Sequence, residues 1–124
     1  MSNEQDNDQN EVIRNTIGEL RAIFEARDWS GTLEMYERMR GILKVQRAAR
    51  LEAACLASRA AAAQKNRSVA RAILRTVAGA TYSKSTHYVF LARAFLDLMQ
   101  LQEAAEACQR AHALREVETM ERPA

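Results

Sequence analysis

Between Tyr88 and Ala111, large and small apolar residues recur in a fixed order: Tyr88, Leu91, Phe95 and Leu101 are bulky, and Ala92, Ala104 and Ala111 are small, with Cys108 among them. Intervals of three and four place these residues on one face of each of two successive helices. A hairpin of that kind must bury its apolar face on a neighbour. The order returns 34 residues upstream: Tyr88 falls on Ala54, Ala92 on Ser58, Phe95 on Ala61, Ala104 on Ala70, Cys108 on Leu74 and Ala111 on Val77. Small residues stay small, which predicts an Ala-rich hairpin over 48–64 and 67–78. A third copy begins at Trp29, which takes the place of Leu101, with Thr32, Tyr36 and Met39 in the places of Ala104, Cys108 and Ala111. The step from Trp29 to Arg67 is 38 residues, so about four extra residues lie near 41–46. The first helix of this unit spans about 11–26, with Val12, Ile13, Ile17, Leu20, Ile23 and Phe24 at helical spacing.

Few residues interrupt these periods. Pro occurs once, at Pro123, and Gly four times, at 18, 31, 41 and 79, while no alternating Val/Ile/Thr run stands between turn residues. The chain is therefore expected to be all-α. At 124 residues, 48% apolar and 27% charged, it is long enough for one domain with its own core. The expected division is a disordered acidic tail over 1–10, one domain over 11–119, and a short tail over 120–124. No apolar run is long enough to span a bilayer, and the polar, acidic start is unlike a signal peptide, so a cytoplasmic location is expected. Cys55 and Cys108 both lie at apolar helical positions and are expected to be buried, reduced thiols. With His87 and His112 they do not have the spacing of a metal site, so no metal or cofactor is expected.

The repeating order resembles the tetratricopeptide repeat, a 34-residue helix–turn–helix unit. The resemblance covers about residues 11–117, as units near 11–45, 48–80 and 84–117. It implies three hairpins stacked as a short right-handed α-solenoid, a scaffold that binds other chains rather than doing chemistry. Lys65 and Met99 depart from the family pattern, standing where Gly is usual at the turn between helices, and Glu116 stands where Pro is frequent. The architecture also looks like that of bacterial type III secretion chaperones. The family's carboxylate clamp for chaperone tails is not matched: of the corresponding Ile17, Arg21, Leu56, Thr86 and Phe90, only Arg21 is basic.

In this family the first helices line a groove. The resemblance places Arg21, Arg59 and Arg93 at one groove position, with Ile17, Phe24, Leu56, Val89, Phe90 and Leu96 around them. Such a groove would take an amphipathic helix or an acidic segment of a protein partner, since guanidinium pairs bidentately with carboxylate. The other reading of the three arginines is ordinary solvation or ion pairing within the stack. An incompletely covered face over 101–117 is expected either to be solvated by Glu103, Glu106, Gln109 and Arg110, or to pair with itself, as a homodimer, or with an obligate partner.

Charge is unevenly distributed. Residues 38–84 carry eleven Lys or Arg against the single acid Glu52, an excess of +10, within a chain whose net charge is +2. Arg40, Lys44 and Arg47 share one helical face, and Arg67, Arg71 and Arg75 another. This basic surface carries the alternative reading, an accessory protein associated with nucleic acid. The lack of aromatic residues between Tyr36 and Tyr82 argues against stacking on unpaired bases. No Gly-rich phosphate loop or paired acid–base set is present, so the chain is not expected to be an enzyme.

Overall fold

The computed structural model describes the backbone of residues 3–121 and the side chains of 8–121. Six helices follow one another: α1 (Asn3–Glu25), α2 (Trp29–Leu43), α3 (Arg47–Ala63), α4 (Arg67–Ala78), α5 (Ser85–Asp97) and α6 (Leu101–Glu121). There is no strand among the described residues, and no helix is long and apolar enough to cross a membrane. α1 begins at Asn3, so residues 3–10, expected as a disordered tail, are helical; Met1 and Ser2 lie outside the described residues. The segment is polar but holds neither Gly nor Pro, and the Asn10 side chain accepts a hydrogen bond from Gln46, just ahead of α3. At the other end α6 continues through Glu121, into the expected tail, and 122–124 lie outside the described residues.

Each short turn between paired helices is built the same way. Arg27, Lys65 and Met99 have φ of 62°, 64° and 58°, the left-handed conformation that lets the chain leave one helix and enter the next. The following residue starts or caps the second helix: Asp28 accepts a hydrogen bond from the Gly31 N–H at 2.9 Å, and Asn66 from the Val69 N–H at 3.4 Å. The longer connection before α5 is pinned by aromatics. The Tyr82 hydroxyl donates to the Val77 carbonyl at 2.6 Å, and the Tyr82 N–H donates to the Tyr88 hydroxyl at 3.0 Å. Ser85 opens α5 and donates through both its N–H and its hydroxyl to the Glu118 carboxylate of α6, at 2.9 and 2.7 Å.

α3 is the centre of the fold, packed against α1, α2, α4 and α5, while α6 packs on α5. A helix with neighbours on so many sides needs small side chains. Ala53, Ala54, Ala57, Ser58, Ala60 and Ala61 are all fully buried. Ser58 satisfies its hydroxyl in that setting by donating to the Ala70 carbonyl of α4 at 2.8 Å. The core continues through Leu20, Leu43, Leu51, Leu74, Leu91 and Leu98. The Ala-rich second unit is thus the one with least room.

Candidate functional site

The three matched arginines differ in what they meet. Arg21 on α1 grips Glu52 of α3 with two donors, Nη2 to Oε1 at 2.7 Å and Nε to Oε2. That hydrogen bonding holds its pKa above the ordinary arginine value. Arg59 on α3 donates Nε to Asp97 Oδ2 of α5 at 2.9 Å, and its guanidinium lies 4.9 Å from the centre of the Phe24 ring. Phe24 in turn meets Trp29 edge to face at 5.3 Å. Two of the three therefore tie consecutive first helices together. Arg93 on α5 is exposed and, among the described residues, makes no ion pair or side-chain hydrogen bond.

The apolar residues expected around them fall into separate places. A cleft of about 430 Å³ runs across α1, α3 and α5 and is lined by Ile17, Arg21 and Phe90 from the expected set. Asn10, Ile13, Arg14, Gln46, Glu52, Lys84 and His87 join them. A second cleft of about 630 Å³ lies between α5 and α6 and takes Val89, Arg93 and Leu96, beside Ala92, Cys108, Ala111, His112 and Arg115. Phe24, Leu56 and Arg59 line neither. Leu56 is half-buried against the core, and Ile17 is almost wholly covered.

The first cleft has an apolar floor of Ile13, Ile17 and Phe90 under a basic rim. Arg14 and Lys84 are exposed and form no ion pair among the described residues. The one acid among the described residues lining the cleft, Glu52, already has both oxygens on Arg21. His87 sits at the edge with Nδ1 buried and without a hydrogen-bond partner. Burial, and then the neighbouring Lys84 charge, hold its pKa below the usual imidazole value, so the ring is favoured in its neutral form. Arg14 was readable in the sequence, one turn before Ile17 and two before Arg21 on one helix face. Lys84 and Gln46 belong to connections, where helical periodicity gives no signal.

The two thiols separate. Cys55 is buried, and burial pushes its pKa up to about 12. Cys108 is exposed in the second cleft, against the expectation of a buried thiol. Its counterparts Tyr36 and Leu74 are buried because further helices lie beyond them; beyond α6 there is none among the described residues. Those residues also contain no group of three His, Cys, Asp or Glu placed to hold a metal ion.

On the basic surface, Arg40 pairs with Glu37 at 3.2 Å and lies 5.9 Å from the Tyr36 ring centre, and Arg47 lies 5.2 Å from that of Tyr82. Lys44 is exposed. Arg67, Arg71 and Arg75 are exposed along α4 and form no ion pair among the described residues. No protein-family model matches this sequence, and no curated protein or solved structure matches it.

Proposed function

We propose that the chain is a non-catalytic protein-interaction module, three tetratricopeptide-like hairpins in a short stack, that takes an acidic amphipathic segment of another protein in the cleft across α1, α3 and α5. It would serve as an adaptor, chaperone or assembly factor. What supports the stack is the recurrence of the left-handed turn at Arg27, Lys65 and Met99, at the same 38- and 34-residue steps as the apolar pattern. The observation that carries the site is its charge. Arg14 and Lys84 rim an apolar floor, and Arg21 already neutralises the acid Glu52. An unpaired cation beside apolar surface favours a ligand carrying carboxylates next to bulky apolar groups. A well-formed charge-assisted contact there contributes about 1.5–3 kcal/mol, and one left exposed about 0–1 kcal/mol.

The test is fluorescence anisotropy of the full chain with a labelled amphipathic helical peptide carrying Glu on both flanks, beside the same peptide with Lys. The Glu peptide is expected to bind, and Arg14→Glu with Lys84→Glu to weaken it about tenfold or more, an effect that shrinks with added salt. Equal affinity for both peptides, or indifference to the double reversal, refutes the assignment. The three unpaired guanidiniums of α4 favour a second reading, nucleic-acid binding on that face. It predicts that random-sequence DNA is retained at about 50 mM salt and released by changing Arg67, Arg71 and Arg75 to Glu.

A further inference from the structure

The end of the molecule formed by α5 and α6 repeats positions that are buried or half-buried in the earlier hairpins. Ile17, Cys55 and Val89 occupy one position of the three first helices, and Phe24, Ala62 and Leu96 another two turns along. α3 packs against α1, and α5 against α3, and there Ile17 and Cys55 are 4% and 1% exposed. Val89 is 36% exposed and Leu96 49%. Together with Cys108, whose two counterparts are buried, they line the 630 Å³ cleft between α5 and α6.

The helices that cover the earlier faces have a common chemistry. Each brings buried small or apolar side chains, Ala53, Ala57 and Ala60 from α3, Leu91 and Ala94 from α5. Each also brings one carboxylate to the arginine of the preceding unit, Glu52 to Arg21 and Asp97 to Arg59. Arg93 holds the same place in α5 and has no such acid among the described residues. Arg115 also lines the cleft, His112 Nε2 lies 3.2 Å from the Glu116 carboxylate, and Glu118 is held by Ser85.

We infer that this end face docks a helix of a second protein, with a stripe of small apolar residues and a carboxylate that pairs with Arg93. A further copy of the chain stacked head to tail would present α1, which has Glu25 at the place of Asp97 but Glu19 where α3 has Ala57 and α5 has Leu91, both buried. Docking α1 in the same manner would therefore put a second carboxylate into the apolar contact, which disfavours a second copy as the occupant. This surface shares only Thr86 with the α1–α3–α5 cleft, and the residues that carry the inference, Val89, Arg93 and Leu96, line this surface alone.

The probe is a helix-stabilised, fluorescein-labelled peptide with the sequence of residues 85–98, which carries the Leu91, Ala94 and Asp97 chemistry, titrated with the full-length chain. Saturable binding is expected. Arg93→Glu in the protein is expected to weaken it about tenfold, and Asp97→Lys in the peptide likewise. Combining the two reversals should restore the affinity to within about threefold of the original, as expected for a direct pair. Leu96→Asp, also at an exposed site, should give a comparable loss through the apolar contact. Saturating peptide should slow alkylation of Cys108. The inference is overturned by absence of saturable binding up to about 1 mM. Binding indifferent to Arg93→Glu also overturns it. So does sedimentation that shows a dimer dissociated by Leu96→Asp, which would give the face to a second copy.

Discussion

Replacing Arg27, Lys65 and Met99 by glycine should stabilise the protein, although each substitution deletes a side chain. All three hold positive φ, at 62°, 64° and 58°. Each is the left-handed residue of a Schellman motif. The N–H of the next residue bonds a carbonyl five positions back, Asp28 to Ile23 at 3.2 Å, Asn66 to Ala61 at 2.9 Å and Gln100 to Phe95 at 2.9 Å. The N–H groups of the left-handed residues themselves bond Phe24, Ala62 and Leu96 carbonyls, each at 2.9 Å. Holding a residue with a Cβ in this conformation costs about 1–2 kcal/mol. Glycine relieves that cost but loses about 0.5–1 kcal/mol through the larger freedom of its unfolded state. All three side chains are exposed, so little packing offsets the relief. The net gain is about 0.5–1 kcal/mol per site, and about 1.5–3 kcal/mol for the triple variant because the turns are far apart. Thermal denaturation followed by circular dichroism should show Tm raised on the order of 5–10 °C for the triple variant. In urea the midpoint should rise with an unchanged slope. Gly18→Ala, inside α1 where an added Cβ meets nothing within 4 Å, is the opposite chemical change and should stabilise by about 0.5–1 kcal/mol. A lowered midpoint at any one of the three turn positions refutes the reasoning for that turn and breaks the equivalence of the units.

Ellman's reagent should titrate one thiol rapidly in the native protein, Cys108, and the second only on unfolding, because Cys55 is buried and its pKa stands at about 12; a Cys108→Ser variant should leave no fast phase. Acid should weaken the fold through His87: its pKa in the folded chain lies below the ordinary 6.5, so the unfolded state binds the proton more readily and stability falls as pH drops below about 6.5. Chemical denaturation between pH 7 and 5 should show that limb, and His87→Gln should flatten it. Gly31→Ala should destabilise by about 1 kcal/mol, since the new Cβ would stand 2.3 Å from the Asp28 carboxylate that caps α2 and must displace it. An unchanged urea midpoint there would mean that the cap contributes nothing.

The order of the helices was legible because burial is periodic. α4 falls on 67–78 as the apolar spacing predicts, and α3 starts one residue before the expected 48. The four-residue insertion inferred near 41–46 is the longer step from Arg27 to Lys65 than from Lys65 to Met99. The second unit is hard to read alone for a structural reason. α3 has helices on several sides, and alanine at 53, 54, 57, 60 and 61 removes the contrast between large and small residues that marks a helical face elsewhere. Residues 3–10 are helical although polar, because low hydropathy indicates that a segment lacks a core to bury and does not by itself oppose helix.

The arginine row shows where repeat logic ends. Periodicity assigns Arg21, Arg59 and Arg93 to one position, but what each meets belongs to the next unit. There the carboxylates are not equivalent: Glu52 lies seven residues before Arg59, and Asp97 four after Arg93. No comparison of units with one another reveals either partner. The same holds for Val89 and Leu96, which share the phase of the buried Ile17 and the half-buried Phe24 yet remain open. A recurring position acquires its role from the helix laid upon it, so arginine is an interhelix tie on α1 and α3 and, among the described residues, a free cation on α5. Arginines that tie one helix to the next are therefore poor candidates for ligand contact unless their opposing acids are absent. Arg93, Arg14 and Lys84 meet that condition, and Arg21 and Arg59 do not.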